Sequence, residues 1–252
     1  MVEVRIAIVY NRDVSEQWLP RRRLPDATPV VCFPAAGSTA AAFSEWKPFA
    51  APDLELVPIK LPGRGVRLAE PPVETMPELV ARIGEAIGPM LPARYGVFGQ
   101  CLGAVLAFEV TRWLIASRWP RPAHLLVAGC GAPATEKVTT VASSDDEAKL
   151  IEQLRAWGGT PESALARRDF LDLLVPPLRS DLRLFEAYRA TEQPPIDVPI
   201  TAFRGRDDAF VSADAVVAWR DYTTAAFATR ELPGGHFADP AHLVPALRGA
   251  LA

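Results

Sequence analysis

The sequence predicts an α/β fold with a mainly parallel sheet and helices on both of its faces. Short apolar runs alternate with helical stretches along most of the chain, which is the pattern of strand–helix–strand units. Several of the predicted strands end in Gly- or Pro-bearing loops, where the backbone must turn. The chain has 252 residues, 49% apolar and 23% charged, so it can bury a sizeable core and is too apolar for wholesale disorder. One domain over 1–252 is expected, interrupted by a helical lid over about 133–195.

Residues 2–10 alternate, with Val2, Val4, Ile6 and Ile8 able to share a strand face. The Arg21-Arg22-Arg23 run reads as a solvated surface stretch. Val30 to Phe33 reads as a buried strand, followed by a helix from about Ala40 to Phe49 and a strand from Leu54 to Lys60. Leu79, Ile83, Ala86, Ile87 and Met90 share one face of a helix over 78–91. A short strand from Arg94 to Phe98 leads into a helix from about Leu102 to Ile115, apolar nearly all round and therefore buried. His124 to Cys130 reads as another strand. The lid then shows a Ser144-x-x-Glu147 capping box and helical spacing of Leu150, Ile151, Leu154 and Trp157. A second helix is expected around Phe170, Leu171 and Leu174, and a third around Leu178, Leu182 and Phe185. Pro199 to Phe203 and Phe227 to Leu232 resume the strand rhythm, and a last helix closes the chain.

Composition excludes several function classes. A net charge of −3 disfavours a nucleic-acid binder driven by bulk charge. Three cysteines without paired spacing do not make a disulfide framework. Three histidines, His124, His236 and His242, leave little room for a metal site, and no metal is expected. No apolar run reaches the roughly 18 residues that span a bilayer. Glu3 and Arg5 interrupt the N-terminal apolar stretch, so it does not read as a signal peptide. A reduced, cytoplasmic compartment and a monomer are expected.

Chemistry concentrates at four loops. Gly99-x-Cys101-x-Gly103 lies between a predicted strand and a predicted helix. A nucleophile there stands on a sharp turn, with glycines flanking it because side chains would clash. The chain order Cys101, Asp208, His236 follows nucleophile, acid, histidine, each just after a predicted strand. Asp207 is adjacent to Asp208; Asp208 is the preferred acid, with Asp207 facing solvent or capping the next segment. The backbone N–H of Leu102 and that of Ala35, in the Pro34-Ala35-Ala36-Gly37 loop, are the candidate oxyanion donors. Cys32 and Cys130 read as core, and His124 and His242 as surface or structural.

These residues carry a resemblance. Cys32-Phe33-Pro34-Ala35-Ala36-Gly37, Trp46, Leu61-Pro62-Gly63-Arg64-Gly65-x-Arg67 and Phe98-Gly99-Gln100-Cys101-Leu102-Gly103-Ala104 stand in order along the chain. Pro177-Leu178-Arg179-Ser180-Asp181, Gly205-x-x-Asp208 and Leu232-Pro233-Gly234-Gly235-His236-Phe237 follow. The chain resembles type II thioesterases, the stand-alone α/β-hydrolase editing enzymes of polyketide and nonribosomal peptide assembly lines. The resemblance covers nearly everything from about Trp18 onward. It implies an α/β-hydrolase fold with a helical lid. It also implies hydrolysis of acyl thioesters on the phosphopantetheine arm of acyl or peptidyl carrier domains. Phosphopantetheine then belongs to the partner, and no cofactor of the chain's own is expected.

The chain departs from the family at three places. The family's nucleophile is usually a serine preceded by histidine, where this chain has Gln100-Cys101. Ser38 replaces the second glycine of the usual A-G-G loop. Residues before about Trp18 have no counterpart. With cysteine, acyl transfer from a carrier thiol exchanges one thioester for another, nearly isoenergetically, so the acyl-enzyme stays activated toward water, an amine or a second thiol. Hydrolysis is the first reading, and transfer to another carrier or an amine the alternative. A noncatalytic carrier-binding module is the third; Asp208 and His236 argue against it. Gln100, Leu154, Trp157, Leu174 and Phe185 are the candidate acyl-pocket residues, and Arg64 and Arg67 are expected to shape their loop rather than meet a carrier.

Overall fold

Among the described residues six short stretches, five of them strongly apolar, form the strands β1 (Thr28–Phe33), β2 (Leu54–Pro58), β3 (Gly96–Gln100), β4 (His124–Ala128), β5 (Ile200–Gly205) and β6 (Phe227–Leu232). The structure, a computed structural model, describes residues 16–135, 141–190 and 193–252. The expected strand over 2–10 lies outside them. The sheet order is β2-β1-β3-β4-β5-β6 and every pairing is parallel. β1 to β5 are buried almost throughout, as strands covered on both faces must be. β6 is mostly exposed, and its Arg230 and Glu231 guard the sheet edge against pairing with another chain.

The expected helix from Ala40 begins as a 3₁₀ turn (Ala40–Trp46) and ends in the short α1 (Lys47–Ala50). α2 (Met76–Ile87) and α3 (Leu102–Ala116) pack on one face of the sheet. α3 buries Leu102, Val105, Leu106, Phe108, Val110 and Leu114. On the other face, α8 (Pro240–Leu251) lays Leu243, Val244 and Leu247 against Phe98, Leu126 and Phe203. Between β5 and β6 the chain forms α7 (Ala213–Val217). Among the described residues no helix is long and apolar enough to cross a membrane.

Between β4 and β5 lie α4 (Glu147–Trp157), α5 (Glu162–Leu165) and α6 (Arg168–Ala187), which share their own apolar cluster. Two sequence expectations change here. The Ser144–Glu147 box does not form. Asp146 caps α4 instead, accepting from the Lys149 N–H at 2.9 Å. The two helices expected around Leu174 and Leu182 are one 20-residue helix that runs through Pro176 and Pro177. Each proline removes an N–H that would have bonded four residues back, at Asp172 and Leu173. Both of those residues are exposed, so water can take the freed carbonyls. On the opposite face Leu171, Val175, Leu178 and Leu182 stay buried and hold the helix together. Of the three arginines read as solvated, Arg22 is not free in water: it pairs with the buried Glu55 and donates to the carbonyls of Leu24, Pro25 and Ala27.

The glycines of the β3–α3 turn are packing requirements. A Cβ on Gly103 would lie 2.4 Å from the Phe33 carbonyl oxygen and 2.5 Å from that of Pro34. Backbone cannot move aside cheaply, so Gly103→Ala should cost about 1–3 kcal/mol. For a chain of this size that lowers Tm by roughly 2–12 °C. Gly249→Ala in α8 meets nothing within 4 Å and should leave Tm unchanged or slightly higher. Parallel melts of the two variants check this, and equal melting temperatures would contradict the packing argument.

Candidate active site

β1, β3, β5 and β6 all deliver their loops to the carboxyl edge of the sheet, where open α/β folds bind ligands. From β1 the order runs outward to β2 on one side and to β3 on the other, so the crevice of this sheet opens at the β1/β3 boundary. Cys101 stands there, between β3 and α3, with φ 53° and ψ −127°. A left-handed cysteine costs on the order of 1–3 kcal/mol. Full burial of one side chain such as Phe108 on the following helix contributes a similar amount, so α3 can hold the strain. The Cys101 N–H donates to the Ala128 carbonyl at 2.9 Å, which locks the turn to β4. Cys101 is half-buried. Leu102 is the first residue of α3, and its N–H is one of the four that a helix leaves without an internal partner.

Asp208 and His236 come from the loops after β5 and β6. Those loops touch: a Cβ on Gly205 would lie 1.9 Å from the Gly235 carbonyl oxygen, and the Asp207 N–H donates to the Gly234 carbonyl at 2.9 Å. The Asp207 side chain is exposed, while Asp208 is buried. His236 Nδ1 donates to Asp208 Oδ2 at 3.1 Å. The other oxygen of Asp208 accepts from the N–H groups of Phe210 at 2.8 Å and Val211 at 3.2 Å. Arg204 ties the same loop down by donating to the Asp208 and Val211 carbonyls. Around the imidazole, Trp157 stacks at 6.1 Å, and Phe210 and Phe237 meet it edge-on at 5.7 and 5.0 Å.

The electrostatics follow from this cage. Burial pushes the His236 imidazole down. The bond to Asp208, the adjacent Cys101 sulfur and the attraction of both outweigh burial and raise its pKa to about 10. For Asp208, burial works upward. The His236 bond and charge, with the two backbone N–H groups, overcome it and hold the carboxyl below its usual range. His236 Nε2 is buried and makes no hydrogen bond among the described residues. Cys101 and His236 line the same cavity, and Cys101 is the other side chain that raises the His236 pKa. Cys32 is fully enclosed, and burial pushes its thiol up.

A cavity of about 410 Å³ opens beside Cys101 and His236. Its walls are mainly apolar: Ala36, Leu102, Val105 and Phe210 contribute, with Trp157 of α4 and Leu182 and Phe185 of α6. Cys130, read as core, is buried and also reaches this wall. Of the five acyl-pocket candidates, Trp157 and Phe185 line this cavity, and Gln100, Leu154 and Leu174 lie off its wall. Leu154 lies one turn before Trp157 and is buried in the lid cluster. Leu174 packs over Gly37, where a Cβ would meet its Cδ1 at 3.2 Å. Gln100 is buried in β3, off the cavity wall, and its Nε2 has no partner among the described residues. Ala35 is buried, and its neighbour Ala36 forms the wall.

Arg64 and Arg67 shape the loop after β2. Arg67 pairs with Glu70 at 2.6 Å and lies 4.1 Å over the Trp18 ring. Arg64 is buried and grips the buried Asp181 of α6 with both terminal nitrogens, at 2.5 and 2.6 Å. Sequence reasoning missed Phe210 and Phe237 as walls around His236, although Phe237 adjoins it. It also missed Asp181, whose only sequence signal is its place in the Pro-Leu-Arg-Ser-Asp run.

A parallel sheet with a cysteine at a strained elbow, a buried aspartate–histidine pair and an apolar cavity walled in part by α4 and α6 has the layout of an acyl-transfer site. The thioesterase domain family profile matches residues 28–247, which hold the six strands of the described residues and the four loops that carry the site. The chain belongs to the thioesterase family and is a thioester hydrolase. It is similar to the gramicidin S biosynthesis protein GrsT of Aneurinibacillus migulanus, 34% identical over 206 residues, 82% of this chain and 80% of that protein. It is also similar to the thioesterase PikA5 of Streptomyces venezuelae, 35% identical over 212 residues, 84% of this chain and 75% of that one. Among solved structures, RedJ, the thioesterase of the prodiginine pathway in Streptomyces coelicolor, superposes with a TM-score of 0.83 at 36% identity, covering 92% of this chain and 90% of that one. The type II thioesterase BorB of the borrelidin biosynthetic cluster does so with a TM-score of 0.83 at 27% identity, covering 93% and 98%.

Proposed function

We propose that the chain hydrolyses acyl, aminoacyl or peptidyl thioesters from the phosphopantetheine arm of carrier domains in a polyketide or nonribosomal peptide pathway, through a Cys101-bound acyl-enzyme. The observation that carries this is the Cys101 elbow beside a His236–Asp208 pair at the wall of an apolar cavity. Cys101 gives its thiol proton to His236 and its sulfur attacks the thioester carbonyl, and the Leu102 N–H with the Ala35 N–H takes the oxyanion. The C–S bond to pantetheine breaks, and the proton on His236 goes to the leaving thiolate. Acylation removes the Cys101 interaction that helps hold the His236 pKa up. The imidazole then falls toward neutrality and takes a proton from water, whose oxygen attacks the acyl carbonyl; the C–S bond to Cys101 breaks, the acid leaves and the proton returns to the sulfur. Asp208 orients the ring and stabilises its charged form throughout.

The partner is a carrier domain in the cytoplasm, which brings the phosphopantetheine; the chain needs no cofactor or metal of its own and acts as a monomer. A second reading, transfer to another carrier thiol or an amine, is favoured by one feature, the sulfur of Cys101, which keeps the acyl group activated.

Intact-protein mass spectrometry with an acyl-pantetheine substrate separates the two readings. Free acid forming at the same rate with and without a second thiol or amine is the expected result. An adduct on Cys101 that discharges only when acceptor is added would replace hydrolysis by transfer.

A further inference from the structure

The turn that offers the second oxyanion donor is held by a side chain of the lid. Ala35 to Ser38 close a turn through the Ser38 N–H and the Ala35 carbonyl at 3.0 Å, with Gly37 at φ +72°, the third position where such a turn needs a positive φ. Leu174, Leu178 and Asp181 recur at four and three residues along α6 and so share one face. That face lies on the turn: a Cβ on Gly37 would meet Leu178 Cβ at 3.0 Å and Leu174 Cδ1 at 3.2 Å. Asp181 Oδ2 accepts from the Gly37 N–H at 2.8 Å and from Arg64 Nη1 at 2.5 Å, while Oδ1 accepts from Arg64 Nη2 at 2.6 Å. Asp181 also forms part of the cavity wall.

We propose that Asp181 is a positioning residue for the oxyanion hole, and that the seating of α6 sets the hole's geometry. The Gly37 N–H belongs to the planar Ala36–Gly37 peptide, so fixing that N–H fixes the plane. The Ser38–Ala35 bond fixes the far side of the same turn. The Ala35–Ala36 peptide is held between the two, and the Ala35 N–H lies one peptide upstream, in the plane of the Pro34 carbonyl that packs against the Gly103 backbone. Arg64 holds the carboxylate at a fixed height with a bidentate grip, so that it can hold Gly37 in turn. The carboxylate touches no reacting atom; it acts through the turn. This inference rests on the reading of Cys101 as nucleophile with an oxyanion donor in that turn.

The test compares two double variants that are both neutral at the buried pair, so that neither leaves an unpaired charge. Asp181→Ala with Arg64→Met removes the acceptor for the Gly37 N–H. Asp181→Asn with Arg64→Met keeps a carbonyl oxygen there. Each is assayed for acylation by acyl-pantetheine, which develops an oxyanion, and for alkylation of Cys101 by iodoacetamide, which does not. In the alanine variant acylation should fall by about 100-fold or more, as when an oxyanion donor is lost, with alkylation held within about threefold. The asparagine variant should recover at least about tenfold of that loss. Acylation and alkylation falling together, or equal acylation in the two variants, would overturn the proposal. A Cys101→Ala protein that still hydrolyses would sink the cysteine reading instead. The Asp181 comparison would then be read on the hydrolysis rate, where the oxyanion still forms.

Discussion

Replacing Cys101 by alanine is expected to lower thioester hydrolysis by at least about 10⁴-fold. The substitution removes the attacking sulfur and leaves the rest of the site in place. The β3–α3 turn is fixed by Gly99, Gly103 and the bond from the residue 101 N–H to Ala128, none of which needs the thiol. His236 stays bonded to Asp208. What survives is water attack aided by the oxyanion donors and the cavity, and that residue of activity sets the floor. Chromatographic measurement of released pantetheine thiol gives the rate, and mass spectrometry should find no adduct. Retention of more than a tenth of the wild-type rate would remove Cys101 from the mechanism. Cys101→Ser is the informative partner. Its acyl-enzyme is an oxyester, lower in energy than the carrier thioester, so return of the acyl group to a thiol should be suppressed while hydrolysis continues.

The parts of this site that sequence reasoning reached are those written locally. The glycines around Cys101 are two residues away on either side, and their spacing encodes the turn directly. The strands announced themselves because buried parallel strands need unbroken apolar runs, as Leu125 to Ala128 show. The run through Pro176 and Pro177 was illegible for a physical reason. Proline predicts a break unless the orphaned carbonyls reach water, and that depends on which face of α6 is solvated. Helical spacing says that Leu154 and Leu174 face inward without saying whether they meet the cavity or the cluster of α4 to α6, and both pack in that cluster. The Asp181 contacts join residues 117 and 144 positions apart, and no local pattern carries such a pairing. The choice of Asp208 over Asp207 turns on which of two adjacent carboxylates faces His236, a matter of loop geometry held by Gly205 and Gly235.

Asp208→Asn should cut the rate by about 10³- to 10⁴-fold while leaving the fold intact. The amide oxygen can still accept from Phe210 and Val211, the two N–H groups that anchor this side chain. Its NH₂ group then faces His236 Nδ1, which must become the acceptor. The proton moves to Nε2, toward Cys101, and the imidazole can no longer take the thiol proton there. The charge that offsets burial is lost as well, so the His236 pKa should drop from about 10. The direction carries over to stability. A folded pKa of about 10 lies above the unfolded value near 6.5, so the wild-type contribution is complete below about pH 6.5 and is lost as pH rises through about 10. The wild type should therefore lose stability across that window, and the variant should lose less. Histidine NMR titration reads the pKa and the tautomer, and denaturant melts at pH 6 and pH 10 read the linkage. An unchanged His236 titration in the variant would mean that Asp208 does not set the state of the imidazole, and the mechanism would need another acid.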